Sequence, residues 1–173
     1  MKLQTFLVSI LFLALGMAVA VQGQSATSEN ARLWLRAGFG VSSVRGTSGV
    51  EADILGTIVM PQHWTISMGI GSVGEILGFG GGGYHLLIGR FFPLGKGIAF
   101  IAEGGPAYFE FEDPESEYNS GYSKRYSAFG LSAQGRFIAH LSFVGVEGSI
   151  WANLNGTASS IALTVAIAAG KMK

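Results

Sequence analysis

The stretch LWLRAGFGV, residues 33–41, alternates without a break: Leu33, Leu35, Ala37, Phe39 and Val41 occupy one parity, and Trp34, Arg36, Gly38 and Gly40 the other. Successive side chains of an extended strand point to opposite faces, so this segment presents one apolar face and one face that includes small and charged residues. The same period of two recurs along the chain. Val50, Ala52, Ile54, Gly56 and Ile58 alternate with Glu51, Asp53, Leu55 and Thr57; Trp64, Ile66, Met68 and Ile70 alternate with Thr65, Ser67, Gly69 and Gly71. Further on, Phe129, Leu131, Ala133 and Phe137 alternate with Ala128, Gly130, Ser132, Gln134 and Arg136, and Val144, Val146 and Ile150 with Gly145, Glu147 and Ser149. Near the end, Ile161, Leu163, Val165 and Ile167 alternate with Ser160, Ala162, Thr164 and Ala166.

Counting outward from these runs gives eight strands, at about 32–42, 49–60, 63–73, 81–92, 97–111, 123–138, 141–153 and 158–169. Most are long enough to cross a bilayer when tilted, for which ~9–11 residues suffice. Strands four and five alternate less cleanly. Arg90 and Glu103 are assigned to the polar face, and a bulge near Gly104-Gly105-Pro106 is expected to exchange the faces beyond it, because one inserted residue changes register. Tight turns are read at Met60–His63, Pro93–Lys96 and Ala139–His140. The opposite connections, Ser43–Ser48, Val73–Gly80, Asp113–Tyr122 and Asn155–Thr157, are longer on average.

Composition points the same way. The chain has 173 residues, 49% of them hydrophobic and only 13% charged, with a mean hydropathy of +0.42. Its 27 glycines disfavour helices. Eleven basic residues balance eleven acidic ones, so there is no basic field suited to nucleic acid. With no cysteine, disulfides, thiol catalysis and thiolate metal sites are excluded. Residues 1–26 read as a secretory signal peptide: Lys2 supplies the positive region, Phe6 to Leu15 the apolar core, and small residues allow cleavage between about 20 and 26. No later apolar run is long enough for a spanning helix, yet residues 27–173 remain charge-poor for a soluble domain. In lipid, the remaining way to satisfy every backbone group is a closed β-barrel.

Signal peptide, eight strands and turn asymmetry together resemble the small eight-stranded outer-membrane β-barrels of Gram-negative bacteria. The resemblance covers residues 32–170 and rests on architecture rather than on a diagnostic motif. It implies an all-β, antiparallel up-and-down transmembrane barrel, with the short turns periplasmic. It also implies outer-membrane lipid and the outer-membrane assembly machinery as partners, a monomer, and no cofactor. One departure concerns the C-terminus: such barrels usually end in an aromatic residue, whereas this chain ends Ala169-Gly170-Lys171-Met172-Lys173.

On this reading the apolar face meets lipid, and Arg36, Glu51, Asp53, Gln134, Arg136 and Glu147 form a polar cluster inside. Opposite charges there are expected to pair, because an unpaired buried charge is costly. An eight-stranded barrel is just wide enough for side chains to fill it, so no open channel is expected. Trp34, Trp64, Tyr84, Phe92, Tyr108, Tyr126, Phe143 and Trp151 are candidates for interfacial girdles, with ordinary strand propensity as the alternative.

Three motifs suggest other chemistry. Gly69–Gly74 matches GxGxxG, but no helical pattern follows to aim its N-terminus at a pyrophosphate. His140, Ser142 and Glu147 are the residue types of a hydrolytic triad, as in outer-membrane lipid A deacylases. Strand parity, however, puts Ser142 and Glu147 on opposite faces. The acidic run Glu110, Glu112, Asp113, Glu115, Glu117, followed by Lys124 and Arg125, could attract a hard cation, but it lacks the ordered spacing of a calcium loop. Asn155-Gly156 reads as a tight turn. No catalytic residue is assigned. The expected function is a non-enzymatic outer-membrane barrel with a structural or barrier role and surface loops open to contacts. The alternatives are a lipid-modifying outer-membrane enzyme and a soluble secreted barrel holding a small apolar ligand.

Overall fold

A computed structural model describes residues 32–44, 47–74, 80–113, 124–157 and 159–171. The signal peptide assigned to residues 1–26, and Glu115 and Glu117 of the acidic run, lie outside them. Eight antiparallel strands follow one another around a closed barrel: β1 (Arg32–Val44), β2 (Thr47–Val59), β3 (Trp64–Gly74), β4 (Gly80–Gly95), β5 (Ile98–Asp113), β6 (Lys124–Leu141), β7 (Val144–Asn155) and β8 (Ser160–Lys171). Each strand pairs with its sequence neighbour, and β8 closes on β1.

The stagger of the strands can be followed along one hydrogen-bonded row. Starting at Leu33, it passes through Ile58, Ile66, Ile88, Gly104, Ala133, Ala152 and Ile161, and returns to β1 at Ser43, ten residues further on. With a rise of ~3.3 Å per residue and strands ~4.8 Å apart, that stagger corresponds to a strand tilt of about 40°. At this tilt, about ten residues cross a ~25 Å apolar band, and every strand is longer than that. Leu35, Phe39, Val41, Met68, Leu86, Ile88, Leu131, Val146, Ile150, Leu163, Val165 and Ile167 all face outward and are exposed.

The tight connections lie at one end. Residues Pro61–His63 form a single 3-10 turn between β2 and β3. Lys96-Gly97 turns β4 into β5, with Gly97 at φ +80°, where a side chain would be strained. The third turn is Ser142-Phe143 rather than the expected Ala139-His140, and His140 still belongs to β6. At the opposite end, Asn155 forms the expected turn: its Oδ1 accepts the Thr157 N–H at 2.9 Å.

β4 and β5 depart from expectation. Their ladder keeps one register from Gly80↔Glu112 to Pro93↔Ala99, so there is no bulge at Gly104–Pro106; the register shifts between Pro93 and Gly95. The faces therefore never exchange. Phe109 and Phe111 point into the barrel with Glu103, and Glu110 points out. Glycine opposite these rings makes the space. A Cβ on Gly81 would lie 2.7 Å from the Phe111 ring, and one on Gly83 would strike Phe109. Arg90, expected inside, faces outward with its guanidinium 5.0 Å from the centre of the Trp64 ring.

Candidate functional site

The polar side chains of the barrel interior form one connected structure. Arg36 on β1 donates to Asp53 on β2, to Glu147 on β7 at 2.7 Å and to Ser149 at 2.9 Å. Gly38 makes the first of these possible, because a Cβ there would collide with the Asp53 carboxylate. Ser149 is linked in turn to Thr164 on β8 at 2.5 Å. Across the lumen, Arg136 on β6 donates to Glu103 on β5 at 2.8 Å and to Ser67 on β3 at 3.0 Å, and it lies 3.5 Å from the second oxygen of Glu147. Glu103 also accepts from Gln134 at 2.9 Å and from Ser67 at 2.7 Å. Since Ser67 gives its single proton to Glu103, the 2.8 Å contact between Ser67 and Thr57 has Thr57 as donor.

Glu147 thus joins the two arginines, and the network ties together seven of the eight strands, β1 to β3 and β5 to β8. The side chains of Arg36, Arg136, Glu103 and Glu147 are all fully buried. A buried ion is costly unless it is paired, and the alternating guanidiniums and carboxylates supply that pairing.

All six residues expected in the interior cluster are buried. Five of them, Arg36, Asp53, Gln134, Arg136 and Glu147, belong to the network. Glu51 stands nearer the loop end, where it takes a hydrogen bond from Trp151. Glu103 carries as many links as any member; its inward parity is visible in the sequence, but its central role is not. Thr57, Ser67, Ser149 and Thr164 share inward parity with the charged residues, the one signal that marks them.

Apolar layers lie on either side of this belt. At the turn end Trp34, Val59, Phe91, Ala99, Ile101, Ile138 and Ala168 pack together, with Trp34 edge-on to Phe91. At the loop end Val44, Val73, Ala107, Phe109, Phe111, Trp151 and Ala162 form a second cluster, in which Phe109 stacks between Phe111 and Trp151. Trp34 and Trp151 are therefore interior residues and not parts of a girdle, because they share parity with Arg36 and Glu147. Of the other candidates, Trp64, Phe92 and Phe143 are exposed near the turn end and Tyr84 and Tyr126 near the loop end. Tyr108 packs beside outward Phe129.

The tempting motifs are accounted for by the wall. Gly69–Gly74 lies within β3, and a Cβ on Gly69 would sit 2.6 Å from His85 Nε2, so this glycine makes room for an inward ring. The carboxylate of Glu147 is committed to two guanidiniums, while Ser142 is exposed in a turn. That separates two members of the triad considered above. In the acidic run, Glu112 registers with Arg125 and Asp113 with Lys124 across the β5–β6 ladder.

This is the fold of the small eight-stranded outer-membrane β-barrels. Solved structures with the same architecture include the N-terminal β-barrel domain of Pseudomonas aeruginosa OprF, 12% identical, TM-score 0.62, covering 83% of this chain and 99% of that one. Neisserial surface protein A is 11% identical, TM-score 0.63, covering 82% and 99%. The attachment invasion locus protein Ail of Yersinia pestis is 8% identical, TM-score 0.59, covering 82% and 97%. No protein-family model matches the chain, and no curated protein matches it.

Proposed function

We propose that this chain is a monomeric, non-enzymatic integral protein of the outer membrane that serves as a closed structural element of the barrier and holds its loops at the surface. The observation that carries the reading is the inversion of faces. The outside is apolar around the barrel, while the inside holds a paired charge network between two apolar layers. A soluble ligand-carrying barrel needs the reverse arrangement. The solved barrels of the same fold support the outer membrane as the location, with the tight turns on the periplasmic side.

Fractionation tests it. The protein should sediment with outer membranes, resist extraction by carbonate and urea, and run differently on a gel before and after boiling, since a closed ladder survives in detergent. Recovery in the soluble periplasmic fraction would overturn the reading in favour of the ligand carrier.

A further inference from the structure

We propose that the turn end of the barrel binds anionic phospholipid headgroups through an outward basic collar formed by Arg90, Lys96 and Lys171, an inference that rests on the membrane-spanning reading above. Arg90 lies on the outward parity of β4 and is exposed. It registers with Trp64, the first residue of β3, and its guanidinium lies over that indole. Indoles favour the membrane interface, so the pair places a permanent positive charge at headgroup depth. A cation on the lipid-facing wall is costly near the midplane and nearly free at the interface, which is the position that stagger gives Arg90. Lys96 is exposed at the β4–β5 turn. Lys171, at the end of β8, is exposed and registers with Leu33 of the outward face.

No carboxylate offsets these charges on the outer surface of this end among the described residues. Glu51, Asp53, Glu103 and Glu147 are buried in the lumen. Glu110 faces outward near the other end, where Tyr108 donates to it at 3.0 Å, and Glu112 and Asp113 follow it on β5. Among the described residues, the carboxylates are thus confined to the lumen and the other end. The turn end complements a leaflet that contains anionic phospholipid, at about fivefold in association per basic residue near such a surface.

The test uses the protein purified from membranes and reconstituted in phosphatidylcholine vesicles. Spin-labelled phosphatidylglycerol and spin-labelled phosphatidylcholine are compared by the fraction immobilised at the protein surface. Wild type should prefer the phosphatidylglycerol probe several-fold at low salt and lose most of that preference at 1 M salt, where screening is nearly complete. The R90Q/K96Q/K171Q variant should insert, show the same gel shift on boiling, and have no preference, whereas E110Q should keep it. Wild type without a preference, or a triple variant that retains one, would overturn the proposal while leaving the barrel reading intact. Failure of the wild type to insert and show the gel shift would overturn the membrane reading and the proposal together.

Discussion

Glu147 shows how one residue can serve several strands. Its two oxygens face Arg36 and Arg136, so its loss leaves two buried cations short of a partner. Removing one partner of a buried pair costs about 3–5 kcal/mol. Glu147→Ala should therefore lower the unfolding free energy of the reconstituted barrel by about that much in a urea titration. Glu51 is equally acidic and buried but stands outside the arginine network, and Gln retains an acceptor for Trp151. Glu51→Gln should have a much smaller effect, and comparable losses for the two variants would contradict the network as described.

Two strands allow tests of the wall. On β8, Leu163 is exposed to the outside and Thr164 is buried against Ser149. Arginine at a lipid-facing midplane position costs ~2–4 kcal/mol, so Leu163→Arg should impair insertion into vesicles more than Thr164→Asn. A fluorescent probe at position 163 should be quenched by brominated lipid and one at 164 shielded; equal quenching would mean the faces are misassigned. On β5, the ladder to β4 skips the pairs of Leu86 and Leu87, although the register is the same on both sides, His85↔Ala107 and Ile88↔Gly104. Pro106 has no N–H to give the Leu86 carbonyl, which accounts for the gap. Pro106→Val supplies that donor without changing the outward parity, and one restored bond is worth about 0.5–1.5 kcal/mol. The variant should unfold at higher urea concentration than wild type; an unchanged or lower midpoint would show that the missing bond does not limit stability.

Taken whole, the lumen is a stack of three layers, apolar, charged and apolar, each built from several strands. Closure is thus redundant. Planar-bilayer recordings should show no steady porin-like conductance, and Phe109→Ala, which thins only the loop-end layer, should remain closed. A steady conductance accompanied by sugar diffusion in wild type would mean that the interior is open and the layered packing is wrong.

The strand number, the long spans and the sense of most faces were legible in the chain because they follow from a period of two, which local backbone geometry imposes on any strand. Arg36 and Asp53 declare their facing through their apolar neighbours, and five of the six residues expected in the interior cluster meet in the network for that reason. Strands four and five were harder to read because glycine, alanine and proline leave no apolar stripe to follow. There, the room that inward Phe109 fills is left by Gly83 across the ladder, and outward Arg90 lies over Trp64, which belongs to another strand. Trp34 and Trp151 looked like girdle residues because a tryptophan carries no mark of which side it serves. Whether an aromatic plugs the lumen or meets lipid, and which carboxylate sits between two arginines, depends on the stagger of the closed barrel. That stagger brings together residues separated by as much as Arg36 and Glu147, 111 positions apart in the chain.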